Sequence, residues 1–173
     1  GPCSEIFYDH GASWFIPEES RQFKLLQRVD KIIACSHASK RMLELRWPDK
    51  KDCIFKVKNP LRPDINFLDL PKAYPLAQKS KVILGASGRL VPLKGFICAL
   101  HTLKTLVDQN YPVELVIAGT GKDKTPLENT AKSLGINKHV KFLDYVDDMV
   151  AFYDSIDIFL CPSFREPFGL VAL

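Results

Sequence analysis

Lys81-Val-Ile-Leu-Gly-Ala-Ser87 runs into Gly88-Arg-Leu-Val-Pro-Leu-Lys-Gly95. An apolar-periodic stretch to Gln109 follows, and then Val113-Glu-Leu-Val-Ile-Ala118. The first of these segments reads as a buried strand and the last as a strand, both mostly apolar and of strand length. Between them Phe96, Ala99, Leu100, Leu103, Leu106 and Val107 recur at helical spacing, which predicts a helix over 95–109. Strand, loop, helix, strand is the unit from which parallel sheets are made.

The alternation continues in both directions. C-terminally, Gly119-Thr-Gly121 reads as a turn, and Thr125-Pro126 opens a helix ending near Gly135. Val140-Lys-Phe142 is a strand, Val146–Asp154 a short helix and Ile156–Leu160 a strand. The last residues, Ser163-Phe-Arg-Glu-Pro-Phe-Gly-Leu-Val-Ala-Leu173, are a Pro/Gly loop carrying Glu166. A helix opens at Gly169 and is expected to be cut short within its first turns. N-terminally, Ile6-Phe-Tyr8 ends a strand, and a loop with His10-Gly-Ala-Ser-Trp14 follows. Pro17-Glu18-Glu19 suits the first turn of a helix reaching Val29. Ile32-Ile-Ala-Cys35 is a buried strand, Ser36 or Ser39 caps a helix to Arg46, and Cys53–Val57 is a strand that Asn59-Pro60 ends. Residues 60–80 hold Pro60, Pro63, Pro71 and Pro75 and are expected to link two domains. The predicted organisation is therefore one Rossmann-like piece over 1–59, a linker over 60–80 and a second Rossmann-like domain over 81–173. The fold class is α/β with doubly wound parallel sheets, expected to be incomplete at both ends.

Composition narrows the function classes. Apolar residues make up 46% and charged residues 25%, which excludes a disordered chain. No apolar run approaches the roughly 18 residues of a transmembrane helix. The five cysteines are odd in number and show no C-x-x-C spacing; Cys35 and Cys161 fall in apolar runs, as expected of reduced, buried thiols in the cytoplasm. His10, His37, His101 and His139 lack ligand spacing and there is no D-x-D, so no metal site is expected. Within residues 21–58, 11 Lys/Arg stand against 4 Asp/Glu. That excess fits either a solvated helix face or attraction to an anionic membrane. Trp14, Trp47 and Phe23 form no stacking pattern, so a nucleic-acid partner is not expected.

In a parallel sheet of this kind, ligands bind at the carboxyl ends of the strands. Arg89 and Lys94 follow one strand there, Gly119 and Gly121 a second, and Glu166 the last. An arginine fork with a lysine point charge suits a diphosphate, although two solvated cations on a surface loop would have the same spacing. Gly119-Thr-Gly121 is not the dinucleotide fingerprint, and no P-loop motif occurs.

Gly88–Gly95, Val116-Ile-Ala-Gly-Thr-Gly121, Phe142-Leu-Asp-Tyr-Val-Asp-Asp148 and above all Arg165-Glu-Pro-Phe-Gly-Leu-Val-Ala-Leu173 together resemble the retaining glycosyltransferases of family four, which have two Rossmann-like domains in the GT-B arrangement. The resemblance covers nearly all of 81–173 and extends more loosely to His10-Gly11. It implies transfer of a sugar from a nucleoside-diphosphate sugar donor to a glycan or lipid-linked acceptor, with retention of configuration and without a cofactor or metal. It implies that Arg89 and Lys94 grip the donor diphosphate along with the backbone of Gly169, Leu170 and Val171. Glu166 and Phe168 would meet the donor sugar, and Gly119, Gly121 and Val146 would line the nucleotide pocket. His10 matches a histidine that faces the donor sugar, so Glu166 and His10 are the residues nearest the chemistry. A second glutamate of the family motif would fall one position past Leu173, and most of an acceptor site would lie in absent first-domain units. The isolated 173-residue chain is accordingly expected to be inactive. The resemblance also implies a cytoplasmic protein, with peripheral contact at the inner membrane face. The competing reading is a non-catalytic nucleotide-sugar-binding or structural Rossmann domain; another GT-B enzyme such as an epimerase fits the Glu-Pro-Phe-Gly loop less well.

Overall fold

The structure is a computed structural model that describes residues 4–11, 13, 16–59 and 79–164. The described chain falls into two compact units, residues 4–59 and residues 79–164. The expected linker over 60–78 and the Arg165–Leu173 segment lie outside the described residues.

The first unit is a three-stranded parallel sheet in the order β1-β2-β3, with β1 at Ile6–Asp9, β2 at Lys31–Ala34 and β3 at Ile54–Lys56. Helices α1 (Arg21–Arg28) and α2 (His37–Arg46) connect them, and a 3₁₀ turn over Pro48–Cys53 leads into β3. Strand alternation sends Ile32, Ala34 and Ile54 to one face. There they meet Phe23, Leu26, Val29, Leu43 and Trp47 in one apolar cluster. Complete burial of a side chain such as Leu26, Ile32 or Leu43 stabilises by about 1.5–3 kcal/mol each. The opposite face carries Ile6, Ile33, Phe55 and Val57, with the Lys31 ammonium 5.8 Å from the Phe55 ring centroid.

Two helix starts differ in detail from their sequence signals. Ser20 caps α1 by accepting the Phe23 amide N–H at 3.1 Å, so Pro17–Glu19 form a turn ahead of the helix rather than its first turn. A side-chain oxygen that satisfies an orphan N–H marks the start more strongly than proline and acids do. Of the two candidate caps for α2, Ser36 does the capping, at 3.0 Å from the Ser39 amide. Ser39 is buried and has a different partner.

The second unit has four parallel strands in the order β6-β5-β4-β7. They are β4 (Val82–Ser87), β5 (Val113–Ala118), β6 (Val140–Leu143) and β7 (Ile158–Phe159), with α3 (Phe96–Asp108), α4 (Lys124–Ser133) and α5 (Met149–Asp154) between them. The core joins Leu84, Ala86, Leu115 and Ile117 of the strands to Phe96, Ala99, Leu100 and Leu103 of α3 and Leu127 and Ala131 of α4. Asp148 accepts the Ala151 N–H at 3.0 Å, so α5 begins at Met149 and the preceding residues are loop. Strand β7 is shorter than its apolar run. Cys161 follows it in an exposed loop, and Cys98 is exposed as well, so only Cys35 is a fully buried thiol among the described residues. The expectation of a buried Cys161 is thereby corrected: the strand ends at Phe159, before the apolar run does.

Strand order decides where a ligand can lie. Chain progress from β4 to β5 to β6 moves to one side of β4, and β7 then pairs on the other side. Loops diverge at such a reversal and leave a crevice at the strand carboxyl ends. Backbone hydrogen bonds tie the loops there together. Gly88 N–H donates to Ala118 at 3.0 Å, Leu90 N–H to Thr120 at 2.8 Å, Gly119 N–H to Asp144 at 3.0 Å and Phe164 N–H to Leu93 at 3.0 Å. Gly119 has φ +137°, and a Cβ on it would overlap the Gly88 carbonyl oxygen. At φ +66° a Cβ on Gly95 would overlap the Pro162 carbonyl oxygen. Both positions require glycine for conformation and for space.

Two outcomes follow from this packing. Gly119→Ala is expected to lower unfolding stability by about 1–3 kcal/mol, because the backbone must leave its position and the left-handed conformation is strained; a denaturant titration measures it. At the amino ends of the strands, Glu114 accepts from Lys81 at 2.8 Å and lies 3.7 Å from Lys141. The Lys81 hydrogen bond, opposed by burial, holds its carboxyl below the usual value. A depressed folded-state value contributes stability above the ordinary range near 4.5 that is lost as pH falls through the folded value. Melting temperatures between pH 6 and pH 3 should fall less steeply in Glu114→Gln than in the unaltered chain, the difference corresponding to at most about 1 kcal/mol for a partly exposed pair.

Candidate functional site at the strand carboxyl ends

In the second unit the residues expected to meet a donor gather on the tied loops. Leu90 is completely buried, which anchors the middle of the β4–α3 loop in the core and leaves its neighbour Arg89 exposed. A 3₁₀ turn over Pro92–Lys94 brings the chain back. The Lys94 side chain then lies over Gly88: its Cδ and Cε are 3.9 Å from the place a Cβ would take there. Gly88, Lys94 and Gly119 are thus brought to one spot, with Arg89 beside them. Gly121 packs against the Leu90 backbone, where a Cβ would overlap the carbonyl oxygen. Val146 is half-buried two residues beyond Asp144, whose carbonyl holds the Gly119 amide. The Asp144 carboxylate pairs with Lys124 of α4 at 2.6 Å, and this hydrogen bond, opposed by a smaller burial cost, pushes the ammonium above its usual value. That pair joins the β6 loop to the start of α4. Glu166, Phe168, Gly169, Leu170 and Val171 lie outside the described residues.

The first unit places His10 at the carboxyl end of β1, exposed, with its ring centroid 4.7 Å from that of Tyr8. The single Tyr8 hydroxyl hydrogen is shared between the Val57 carbonyl at 3.1 Å and Asn59 Oδ1 at 2.9 Å. Between Tyr8 and His10 stands Asp9, 1% exposed. Its Oδ1 accepts the Ser13 amide N–H at 3.1 Å and its Oδ2 the Ser39 hydroxyl at 2.9 Å. Nearby, burial and then the Asp9 charge push the Cys35 thiol up from its ordinary range. Sequence reasoning singled out His10 and passed over Asp9. The signal was present in the strand period: Asp9 is two residues from Phe7, which packs on the apolar cluster, so an acid continues the inward face. A buried carboxylate needs donors, and two serines supply them.

The described residues contain no group of three His, Cys, Asp or Glu able to hold a metal ion. They also contain no helix long and apolar enough to cross a membrane.

Comparison with known proteins gives the family of the chain. The family model described as glycosyl transferases group 1 matches residues 69–173. An uncharacterized glycosyltransferase of Methanocaldococcus jannaschii is 33% identical over an alignment of 132 residues that covers 72% of this chain and 33% of that protein. The O-antigen biosynthesis glycosyltransferase WclY of Escherichia coli is 28% identical over 125 residues, 72% of this chain and 31% of WclY. The crystal structure of Anabaena HepE in complex with UDP-glucose superposes with a TM-score of 0.73 at 21% identity, covering 96% of this chain and 49% of HepE. The chain spans about a third of the length of the curated relatives it matches. With parallel α/β units of the GT-B type and a family match over more than half its residues, this chain belongs to the glycosyl transferases group 1 family.

Proposed function

We propose that the protein is the donor-binding part of an enzyme that moves a sugar from a nucleoside-diphosphate sugar to a glycan or lipid-linked acceptor, with retention of configuration. The observation that carries this reading is the cluster at the β4 carboxyl end: Arg89 and Lys94 on one loop, beside the glycine backbones of Gly88 and Gly119 at the reversal of strand order. When the anomeric bond breaks, negative charge builds on the departing diphosphate and positive charge on the sugar. Fixed cations next to backbone that admits a close ligand stabilise that leaving group. Arg89 supplies a planar fork and Lys94 a point charge. Gly119, Gly121 and Val146 would receive the nucleoside, Glu166 and Phe168 the sugar, and the amides of Gly169, Leu170 and Val171 the phosphates. The family resemblance gives His10 a sugar-facing role as well. The role of Glu166 in this reading is to orient sugar hydroxyls, not to attack. Leaving-group charge is then met by side chains and amides, without a resident metal or cofactor.

HepE was solved with UDP-glucose and WclY is named for O-antigen biosynthesis, which supports a uridine nucleotide donor and an envelope glycan acceptor built at the inner membrane face. The basic surface of the first unit fits that place. Part of it is committed internally: Arg46 bonds the Ile16 carbonyl, Lys50 the Val29 carbonyl at 2.7 Å, and Lys40 and Arg41 pair with Glu44. On α1, however, Arg21, Lys24 and Arg28 are exposed around Leu25, itself 46% exposed. Each cation near an anionic surface contributes on the order of 1 kcal/mol.

Donor binding is tested on this chain by calorimetry with UDP-glucose and other nucleoside-diphosphate sugars, and transfer is tested on a protein that contains it. Saturable binding is expected, weakened about ten-fold or more by Arg89→Ala or Lys94→Ala, as loss of a charged hydrogen bond predicts. Transfer should persist in excess chelator. No binding of any nucleotide sugar would turn the reading toward a structural Rossmann unit. For the membrane, co-sedimentation with anionic vesicles should exceed that with neutral ones. It should weaken at high salt as the Debye length shrinks to about 10 Å at 0.1 M, and drop in Arg21→Gln/Lys24→Gln/Arg28→Gln. Equal binding to both vesicle types leaves α1 a solvated face.

A further inference from the structure

Asp9 is the one buried acid of the first unit among the described residues, 1% exposed, and it sits beside the residue proposed to face the sugar. Every group it holds belongs to that neighbourhood. Its Oδ1 takes the Ser13 amide at 3.1 Å, which closes the loop containing His10 and Gly11 back onto β1. Its Oδ2 takes the Ser39 hydroxyl at 2.9 Å, which fixes the same carboxylate to the first turns of α2. Ser36 in turn caps that helix through the Ser39 amide at 3.0 Å. The loop is therefore referenced to both the strand and the helix. On the other face of the strand the His10 ring lies 4.7 Å from the Tyr8 ring, and Tyr8 is itself held by Val57 and Asn59. His10 thus has a fixed backbone on one side and a fixed ring on the other. A carboxylate with two donors and no paired cation among the described residues suits the holding of two N–H and O–H groups at once, because both of its oxygens accept.

We infer that Asp9 is a positioning residue for His10: its carboxylate clamps the Ser13 amide and the Ser39 hydroxyl so that the imidazole is held against Tyr8 at the carboxyl end of the sheet. The assignment of a sugar-facing role to His10 rests on the function proposed above; the clamp itself does not. An amide in place of the carboxylate could accept the Ser13 amide on its oxygen and donate its NH2 to the Ser39 oxygen, exchanging a charged acceptor for a neutral one. Removal of the side chain frees both donors and leaves the Ser13 end of the loop held only through Ile16, by the Ile16 N–H to Ser13 and the Arg46 bond to the Ile16 carbonyl. The imidazole would then sample positions away from the Tyr8 ring.

Nuclear magnetic resonance on the 173-residue chain tests this directly. The His10 ring protons, assigned by comparison with His10→Gln, should carry a ring-current shift from Tyr8 that disappears in Tyr8→Leu. The Ser13 amide should be protected from hydrogen exchange. In Asp9→Ala the His10 shift should collapse toward that of Tyr8→Leu, and the Ser13 amide should exchange faster by about ten-fold or more, as expected for loss of a hydrogen bond to a charged acceptor. His101 and His139 of the second unit should not move. Tyr8→Leu should leave Ser13 protection in place, which separates the ring contact from the clamp. If Asp9→Ala fails to fold, as judged by fluorescence of the buried Trp47, Ser39→Ala decides: with one donor removed, it should give a smaller shift of the same sign. Unchanged His10 shifts and unchanged Ser13 exchange in a folded Asp9→Ala, or in Ser39→Ala when it is the deciding variant, would overturn the inference. UDP-glucose titration of the unaltered chain keeps the two readings apart. Absence of any response at His10 would count against its sugar-facing role and leave the Asp9 result standing.

Discussion

The backbones of Gly88 and Gly119 lie so close that no Cβ fits between them, and the carboxyl end of the second sheet is organised around that approach. It brings the β4 and β5 loops together, where Gly88 and Leu90 donate to Ala118 and Thr120. Through the Gly119 amide it also brings in the β6 loop at Asp144. Leu90, driven into the core, pins the middle of the first loop, and the tight turn about it, closed by the Val91 N–H to the Arg89 carbonyl at 2.9 Å, leaves Arg89 outside. The exposure of a cation beside a concave stretch of glycine backbone is therefore a consequence of apolar burial one residue away. The same loop returns through Pro92–Lys94 and meets the β7 loop at Pro162 and Phe164. Backbone hydrogen bonds thus tie together loops from all four strands.

The first unit reaches a similar end by other means. Its carboxyl-end loop carries no close glycine pair among the described residues. It is held by one buried carboxylate with two neutral donors. Backbone close approach tolerates almost no substitution but costs no desolvation. A buried charge is costly to desolvate and is stable only while its donors remain in place. Under the function proposed above, the first solution leaves backbone room beside cations for a diphosphate, and the second orients the His10 imidazole, whose ring lies tilted at 4.7 Å from that of Tyr8. The raised ionisation of Cys35 reflects the same buried surroundings, with the Asp9 charge adding to the effect of burial.

Periodicity in the sequence determined the elements and their kind. Short, mostly apolar runs such as Val82–Ala86 and Val113–Ala118, bounded by turn residues, became buried strands, and the 3.6-residue spacing in Phe96–Val107 became a helix packed on them. Short loops between parallel strands then put Arg89, Lys94, Gly119 and Gly121 at the same end, since the strands run one way. What periodicity could not carry was any relation between residues far apart in the chain. The order β6-β5-β4-β7 depends on which side of β4 the last strand docks, and the brevity of β7 on how much of Ile156–Leu160 finds a partner there. The exposure of Cys161 follows from that early end. Ser20 and Ser36 as the actual caps were local matters that the serine positions allowed, but only backbone geometry chose between Ser36 and Ser39. Asp9 shows the division most clearly. Its inward position could be read from Phe7 two residues earlier, yet the identity of its donors, Ser13 and Ser39, separated from it by 4 and 30 residues, was decided only when α2 packed on β2 and β3 and carried Ser39 to Asp9. Hydrogen bonding acts at about 3 Å, and nothing in a linear sequence records which polar groups tertiary packing will bring to that distance.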